Sequence, residues 1–211
     1  ERLIEAGKVS VNGKKIDSPA LNVTAEDKII VNGKPVAEAQ TTQMWLYHKP
    51  AGLVTTHKDP QGRPTVFDNL PKEMPRVISI GRLDLNSEGL LLLTNDGELA
   101  RKLELPDNAW IRRYRVRAFG SFPPGMVERM GKPLTIDGVR YKPMEIKMET
   151  QTGTNRWFEV AIREGKNREI RKIFEHFGLK VNRLIRTSYG PFNLGSMRQE
   201  EIKEVTGKVL K

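Results

Sequence analysis

A glycine-bounded segment followed by an unbroken apolar run is the feature that most constrains this chain. Residues 81–84 read Gly-Arg-Leu-Asp, residues 85–89 add Leu-Asn-Ser-Glu-Gly, and the run Leu90–Leu93 follows. A continuous apolar run of this kind predicts a buried strand. Such a strand would hold the preceding loop rigid and present Arg82 and Asp84 together at its end. Taken alone, an aspartate among Gly, Asn and Ser residues is more often an ordinary turn residue than a catalytic one.

The charge balance of the chain predicts a polyanionic partner. Its 211 residues include 36 Lys and Arg against 26 Asp and Glu, which gives a formal net charge of +10, although a basic surface that serves only solubility remains an alternative. Cysteine is absent, which excludes disulfides and thiolate metal sites. Neither an apolar run long enough to span a membrane nor a leader peptide is present. We therefore expect a soluble, cytoplasmic protein, with further sequence upstream of Glu1 because the chain opens in what reads as the middle of a helix.

Positive charge is concentrated in two places. Residues 156–186 contain nine basic and four acidic residues, which is half of the net charge. The second cluster surrounds Tyr114 and consists of Arg112, Arg113, Arg115 and Arg117. In a strand the side chains alternate, so Tyr114 would face the core or a pocket while its arginine neighbours face the other side. This pattern is typical of a phosphate-binding surface beside a stacking ring, and a solvated basic face over a core tyrosine remains the alternative.

The chain divides into two predicted domains. Residues 1–40 contain two short β-branched strands that each run into Asn-Gly, a signal for tight hairpins, and residues 35–42 read as a linker. Residues 41–211 mix strands and helices in irregular order, which favours a mostly antiparallel or mixed sheet in an α+β fold. Strands are expected at residues 44–47, 77–80, 114–119, 157–162 and 181–185, and the Asn-Asp-Gly-Glu segment at residues 95–98 is expected to cap a helix.

The most regular predicted helix spans residues 165–177 and ends at Gly178. Its apolar stripe consists of Ile170, Ile173, Phe174 and Phe177. Arg171 lies at the edge of that stripe. A guanidinium in such a position usually forms an ion pair with a carboxylate, because an unpaired charge there is costly. Arg168 and Glu175 share the exposed side of the predicted helix and are expected to form at most a surface pair.

Two resemblances to known families rest on these motifs. Residues 3–13, LIEAGKVSVNG, and residues 27–36, DKIIVNGKPV, resemble the second half of an S4 domain, a small RNA-binding module whose usual first helix would lie upstream of Glu1. The whole chain resembles the RsuA-type ribosomal RNA pseudouridine synthases, through HKPAGLVTTHKD, GRLD, RYRV, REGKNREIRKIFEHFG and VNRLIRTSYG in that order. The segment GRLDLNSEGLLLLTNDGELA, residues 81–100, fits the large-subunit, RluB-like branch of the family better than the small-subunit branch.

The second resemblance implies an isomerase that converts uridine in ribosomal RNA to pseudouridine during ribosome biogenesis. The better fit to the large-subunit branch favours large-subunit (23S) RNA as the substrate. Asp84 matches the catalytic aspartate of that family, Tyr114 its active-site tyrosine, and Arg171 the basic residue that pairs with the aspartate. Leu184 matches an apolar residue that packs near the uracil, and Arg82 matches an arginine that holds the RNA around the vacated base position. The basic residues that we expect to contact RNA are Arg82, Arg113, Arg115, Lys166, Arg168 and Arg186.

The implied chemistry accounts for these residue types. The glycosidic N–C bond breaks, the freed base rotates and a C–C bond forms, so neither a cofactor nor a metal is expected. A uridine in a structured stem-loop would have to leave its stack, which calls for a basic surround and a ring for the extruded base. Asp84 could attack the sugar or deprotonate it, Arg171 would keep it ionised, and Tyr114 could stack on the uracil and carry the C5 proton. We expect the enzyme to act as a monomer, away from membranes.

Other functions compete with this interpretation. Asp84 and Glu88 resemble the carboxylate pair of a glycosidase, although the basic surround argues against a neutral sugar substrate. A hydrolytic nucleosidase would release free uracil, and a noncatalytic RNA-binding protein would have the same charge without turnover. The missing cysteine ligands exclude a zinc deaminase, and the chain lacks the glycine loop of a nucleotide hydrolase. The three histidines are scattered without ligand spacing.

Overall fold

The computed structural model describes residues 1–24, 26–36, 41–105, 110–152 and 154–205, and the backbone alone at residues 150–152. The chain separates into two compact units, Glu1–Thr41 and Thr42–Lys211. Within the predicted linker at residues 35–42, positions 37–40 lie outside the described residues.

The first unit is a helical turn followed by a four-stranded antiparallel sheet in the order β2-β1-β3-β4. Its elements are α1 (Arg2–Glu5), β1 (Val9–Val11), β2 (Lys14–Lys15), β3 (Ile29–Val31) and β4 (Lys34–Pro35). Asn12 and Asn32 open the two hairpin turns with φ of 50° and 51°, a left-handed conformation that asparagine tolerates better than most residues. The two predicted Asn-Gly hairpins are therefore confirmed.

The second unit is built on one large mixed sheet. The strands of that sheet are β5 (Met44–Lys49), β6 (Ile78–Ile80), β7 (Glu88–Thr94), β8 (Arg112–Phe119), β11 (Glu145–Thr152), β12 (Asn155–Ile162), β13 (Lys180–Tyr189), β14 (Phe192–Asn193) and β15 (Ile202–Glu204). Two further strands, β9 (Leu134–Ile136) and β10 (Val139–Tyr141), form a separate antiparallel pair. The helices of this unit are α2 (Gly97–Glu104), α3 (Met126–Met130) and α4 (Glu169–His176).

The main path of the sheet runs β11-β12-β8-β13-β7-β5-β15, with β14 attached to β13 and β6 to β7. Pairings along this path are antiparallel except for β7 with β13, which run parallel. The predicted α+β fold with a mixed, mostly antiparallel sheet is confirmed. The parallel pair lies at the middle of the path, so the loop before β7 is placed at the centre of the sheet.

Strand β7 is buried on both faces, as the apolar run predicted. Leu90 and Leu92 pack in a cluster with Met44 and Ala100 on one face, and Leu91 and Leu93 pack in a separate cluster on the other. All four leucines are fully buried. A shift of one residue in the register of β7 would move every leucine to the opposite face of the sheet. Because both faces are buried, the register is strongly specified, and the position at which the preceding loop joins the strand is fixed.

Gly89 allows β7 and β13 to approach each other. Its φ is +102°, and a Cβ at this position would lie 2.3 Å from the main-chain oxygen of Arg186. Any other residue would collide with β13 as well as strain its own backbone. The glycine that closes the Asp84 segment in the sequence is thus explained by strand pairing.

Helix α4 is shorter than predicted. It begins at Glu169 rather than Gly165, because Arg168 has a left-handed backbone, with φ of 52° and ψ of 30°, and acts as the N-cap. The apolar stripe itself is confirmed, since Ile170, Ile173 and Phe174 are buried. Residues 165–168 therefore form a bend beside the sheet instead of a first helical turn.

Candidate active site

An open cleft of about 870 Å³ lies at the centre of the second unit, where the Asp84 loop, the bend before α4 and the inward faces of β8 and β13 meet. Seven of the ten residues proposed from the sequence line this cleft: Arg82, Asp84, Tyr114, Lys166, Arg168, Leu184 and Arg186. Residues far apart in the chain are thus brought to one surface.

The backbone of the Asp84 loop is held by side chains from other segments. The Thr55 hydroxyl donates to the Leu83 carbonyl at 2.9 Å and accepts from the Leu83 N–H at 3.3 Å. The Glu104 carboxylate, at the end of α2, accepts the N–H of Gly81. Gly52 N–H donates to the carbonyl of Leu85 at 2.8 Å. With its main-chain groups satisfied in this way, the loop is ordered before any substrate arrives.

Lys49 holds the same loop from below. Its fully buried ammonium donates to the carbonyl oxygens of Pro50, Asp84, Leu85 and Ser87 at 2.8–3.3 Å. Burial lowers the pKa of Lys49 to about 8, against the opposing effect of the Asp84 and Glu88 carboxylates. A charged side chain that donates hydrogen bonds to several carbonyl oxygens at once determines where the loop turns.

Arg171 also holds the loop. Its guanidinium donates to the carbonyl of Asn86 at 2.9 Å and to that of Val181 at 3.2 Å. Burial, and next the charge of Arg168, lower the pKa of Arg171, whereas the Asp84 carboxylate acts to raise it. Arg171 is therefore electrostatically linked to Asp84.

The direct ion partner of Asp84 is Arg168. Its Nη1 lies 3.7 Å from Oδ2 of Asp84, whereas the ion pairs formed among the described residues do not include one between Arg171 and Asp84. This corrects two expectations, the pairing of Asp84 with Arg171 and the surface pairing of Arg168 with Glu175. The cause is the left-handed bend at Arg168, which takes this residue off the exposed face of a continuous helix and turns it towards the cleft.

Asp84 is also the least engaged of the four carboxylates that line the cleft. Asp59 is bound by Arg63, Glu104 by the N–H of Gly81, and Glu169 by the N–H of Lys166. Within the described part of the chain the Asp84 carboxylate accepts no hydrogen bond, and its side chain is 33% exposed. An accessible carboxylate with both oxygens available beside a guanidinium is suited to act on a substrate.

The cleft wall opposite the loop comes from two neighbouring strands. Tyr114 on β8 and Arg186 on β13 are register partners, and Leu184 pairs in the same way with Val116. Tyr114, Leu184 and Arg186 are all buried. Alternation along β8 places Tyr114 on the inner face, as the sequence predicted, so that a ring and an aliphatic side chain flank the cleft.

One N–H group of the Arg186 guanidinium is left without an acceptor among the described residues. Its Nε donates to the Leu90 carbonyl at 2.7 Å and its guanidinium lies 5.2 Å from the centre of the Tyr189 ring. Its Nη2 is buried and has no hydrogen-bond partner among the residues described. Lys166, by contrast, is engaged by Glu164 at 2.5 Å and by the Arg140 carbonyl at 2.7 Å.

Arg113 and Arg115 lie outside the cleft. Side chains alternate along β8, so both project from the face opposite Tyr114. Arg113 lies 3.8 Å from Glu145, and Arg115 lies 2.8 Å from Glu149 and covers the ring of Trp157. Their carboxylate partners lie on or near the edge strand β11, and this surface is separate from the Asp84 site.

Glu88 does not form a catalytic pair with Asp84. Arg183 binds it in a bidentate manner with two contacts of 2.9 Å, and Gln199 donates to it at 2.9 Å. It is buried and absent from the cleft lining. A carboxylate held in this way joins β7 to β13, so Glu88 is not placed to act with Asp84 as the second carboxylate of a glycosidase.

Three residues that shape the site escaped the sequence interpretation: Lys49, Thr55 and Glu169. For Lys49 a signal existed, because it continues the alternation of Trp45 and Tyr47 on the buried side of β5. A lysine on a buried face must find acceptors. For Thr55 and Glu169 no pattern in the sequence indicated contact with the site.

The described residues contain no group of three or more His, Asp or Glu side chains placed to hold a metal ion. Over the same part of the chain, none of the helices is both long enough and apolar enough to cross a membrane.

The fold and the cleft define an enzyme that acts on RNA bases, and comparison with known proteins identifies its family. Residues 43–176 match the RNA pseudouridylate synthase family and residues 1–29 match the S4 domain. The chain belongs to the RNA pseudouridylate synthase family. It is accordingly an RNA pseudouridine synthase with an N-terminal S4 domain.

Three similar proteins illustrate the range of this relationship. An uncharacterized RNA pseudouridine synthase of Rickettsia bellii is 54% identical over the whole chain and 91% of its own length. A ribosomal large subunit pseudouridine synthase B of Pasteurella multocida is 41% identical over 92% of the chain, which covers 58% of that protein. A pseudouridylate synthase crystal structure shares the fold, with a TM-score of 0.71 and 24% identity over 99% of this chain and 90% of that one.

Proposed function

We propose that this enzyme isomerises a specific uridine of large-subunit ribosomal RNA to pseudouridine, with Asp84 as its catalytic carboxylate. The observation that carries the proposal is the state of Asp84, an accessible carboxylate 3.7 Å from Arg168 in a cleft that also contains Tyr114. The choice of large-subunit RNA is supported by the relatives named ribosomal large subunit pseudouridine synthase B.

The reaction makes limited demands on the protein. The bond between N1 of uracil and C1′ of ribose breaks, a bond between C5 and C1′ forms, C5 loses a proton and N1 gains one. Atoms and charge balance without an oxidant, a reductant or water. Asp84 either attacks the sugar or deprotonates it, and in both routes the Arg168 guanidinium faces its carboxylate at 3.7 Å.

The cleft accommodates a base that has left its stack. The uracil would lie between the Tyr114 ring and the Leu184 side chain, two buried groups on the inner face of the sheet. The unpaired Nη2 of Arg186 is available to donate to a uracil or phosphate oxygen. Arg82, exposed at the mouth of the cleft, would contact the backbone of the flipped nucleotide. Such an arrangement requires the RNA to open locally, which a structured stem-loop permits.

Replacement of Asp84 by Asn tests the catalytic role. We expect D84N to bind RNA as tightly as wild type and to lose at least about 10³-fold in turnover, because the amide keeps the shape of the carboxylate and removes its charge. Turnover is followed by release of tritium from RNA transcribed with 5-tritiated uridine. Asp137→Asn, at an exposed turn, is the matched control and should retain full activity. Turnover by D84N close to that of wild type would refute the assignment.

A second experiment identifies the substrate. Pseudouridine is mapped in both ribosomal RNAs from cells that lack the protein and from cells supplied with wild type or D84N. We expect one large-subunit position to lose its modification and to regain it with wild type alone. A lost position in small-subunit RNA would contradict the proposed substrate, and accumulation of free uracil in the purified reaction would indicate hydrolysis instead of isomerisation.

A further inference from the structure

A pair of carboxyl groups lies next to Arg168, the residue that pairs with Asp84, and one of them, Glu169, lines the cleft. Glu169 is the first residue of α4 and is 3% exposed. Its Oε2 accepts the N–H of Lys166 at 3.0 Å. Its Oε1 is buried and has no donor among the described residues. An ionised carboxylate would leave that oxygen uncompensated, which is costly.

Glu164 is the acidic neighbour of this carboxyl group. Its two oxygens accept from the N–H of Lys142 at 2.7 Å and from the ammonium of Lys166 at 2.5 Å, and its carboxyl group also contacts that of Glu169. Lys166 bonds Glu164 through its ammonium and Glu169 through its main-chain N–H. One cation cannot compensate both carboxyl groups, and two carboxyls in contact share a proton because like charges disfavour each other's ionised form. Glu164, with two donors, is the natural acceptor, and Glu169 is the natural holder of the proton.

The electrostatic environment agrees with this geometry. Burial raises the pKa of Glu169 to about 7, and the neighbouring Glu164 adds to that effect against the opposing contributions of Lys166. For Glu164, burial is outweighed by the hydrogen bonds from Lys166 and Lys142, so its pKa is lowered. The bend also meets other charged groups. The Arg112 guanidinium packs about 3.7 Å from where a Cβ of Gly165 would lie, and Arg168 within the bend faces Asp84 and interacts with the charge of Arg171.

The carboxyl pair encloses the bend that carries Arg168. Residues 165–168 lie between Glu164 and Glu169, and Arg168 has a left-handed backbone that is unfavourable for a residue other than glycine. A bend of this kind persists only where its surroundings determine it. Two sets of contacts hold the bend, and both are made at Lys166. Its N–H donates to Glu169, and its ammonium donates to Glu164 and to the Arg140 carbonyl.

We propose that Glu169 is a positioning residue for the reaction: it shares a proton with Glu164 and thereby fixes the bend that aims Arg168 at Asp84. This inference rests on the proposed catalytic role of Asp84. Glu169 does not itself contact the reacting atoms. Loss of the shared proton leaves Glu164 and Glu169 both negatively charged. Their repulsion weakens the contacts that fix the backbone of residues 165–168 and the position of Arg168.

The test compares pH profiles of turnover on large-subunit ribosomal RNA that carries 5-tritiated uridine. Glu169→Gln keeps an N–H for Glu164 and an oxygen for Lys166 but cannot ionise. We expect wild type and E169Q to be within about twofold of each other at pH 6, and E169Q to exceed wild type by at least about fivefold at pH 8.5, where a group with a pKa near 7 is deprotonated. Other ionisations, including that of Lys49, cancel in this ratio.

The route through Arg168 is tested by a double-mutant cycle. Glu169→Ala should lower kcat by about tenfold with unchanged RNA affinity, and should have little further effect when Arg168 is already Ala, because the two residues act as one unit. Identical pH profiles for wild type and E169Q, or additive losses in the cycle, would overturn the inference. If the catalytic assignment itself is wrong, D84N remains active; if this inference alone is wrong, D84N is inactive and the E169Q profile follows that of wild type.

Discussion

The buried ammonium of Lys49 meets Asp84 through the backbone, donating to its main-chain oxygen at 3.2 Å. The side chain of Asp84 is thereby left to Arg168 and to the cleft. One cation shapes the loop while another faces the carboxylate, so the structure separates the two tasks.

Replacement of Lys49 by Met tests the first of these tasks. Four carbonyl oxygens lose their shared donor, and a shift of the loop by about 1 Å is expected to cost about 10²-fold in kcat. The expected pattern is reduced single-turnover rate and a lower Tm, with RNA affinity unchanged. Lys72→Met, at an exposed position, is the control. A K49M variant with the wild-type rate would show that the loop keeps its shape without the ammonium.

The two arginines near Asp84 should respond differently to replacement by lysine. Arg171 bridges the carbonyls of Asn86 and Val181 with two nitrogens, which a single ammonium cannot reproduce. Arg168 contacts Asp84 through one nitrogen, which lysine can supply. We expect R168K to retain kcat within about threefold and R171K to lose about tenfold or more, measured in single turnovers. The reverse order would indicate that Arg171 is the working ion partner of Asp84.

The ion pair of Glu88 with Arg183 should make stability depend on pH. The hydrogen bond from Arg183 lowers the pKa of Glu88 against the opposing effect of burial. A carboxyl whose pKa is lower in the folded state contributes stability above its unfolded pKa, and this contribution disappears as the pH falls through the folded pKa. We expect Glu88→Gln to lower the free energy of unfolding by about 1–3 kcal/mol at pH 7.

Thermal unfolding of wild type and E88Q between pH 7 and pH 3 provides the measurement. The difference in Tm should shrink steadily below about pH 4.5. Glu73→Gln, at an exposed site, should show little difference at any pH. A difference for E88Q that stays constant down to pH 3 would mean that hydrogen bonding alone, and not charge, accounts for the role of Glu88.

Gly89→Ala should destabilise the second unit. The added Cβ would lie 2.3 Å from the Arg186 oxygen in a backbone with φ of +102°, and the combined overlap and strain are expected to cost roughly 2–4 kcal/mol. Gly97→Ala is the matched control, because its Cβ would approach Ile78 at an ordinary 3.9 Å. Chemical denaturation of both variants measures the difference. Equal stabilities would show that β7 and β13 can separate without loss.

The sequence predicted those features that depend on local pattern. Burial of Leu90–Leu93 follows from an apolar run, the inward direction of Tyr114 from alternation, and the helix cap at residues 95–98 from their residue types. The structure has Asp96 accepting from the N–H groups of Glu98 and Leu99. Each of these outcomes is set by residues within a few positions of the feature itself.

The features that the sequence missed depend on contacts between distant segments. The start of α4 was misplaced because the Glu164–Glu169 pair and the Lys166 contacts favour a bend over a helical turn that the local pattern permits. The ion partner of Asp84 was assigned to Arg171 from the family resemblance, and helical periodicity gave Arg168 an outward direction. The hold of Thr55 on Leu83 involves residues 28 positions apart, which no local pattern reports.

The way in which the Asp84 loop is held also bears on when activity appears during protein synthesis. The loop takes its shape from Lys49 and Thr55 upstream and from Glu104 and Arg171 downstream, the last bonding to Asn86 across 85 positions of chain. A chain still being translated exposes Asp84 long before α4 has left the ribosome. Non-local contacts of this kind form late in folding. We therefore expect the Asp84 loop to reach its folded shape only when almost the whole second unit has been completed.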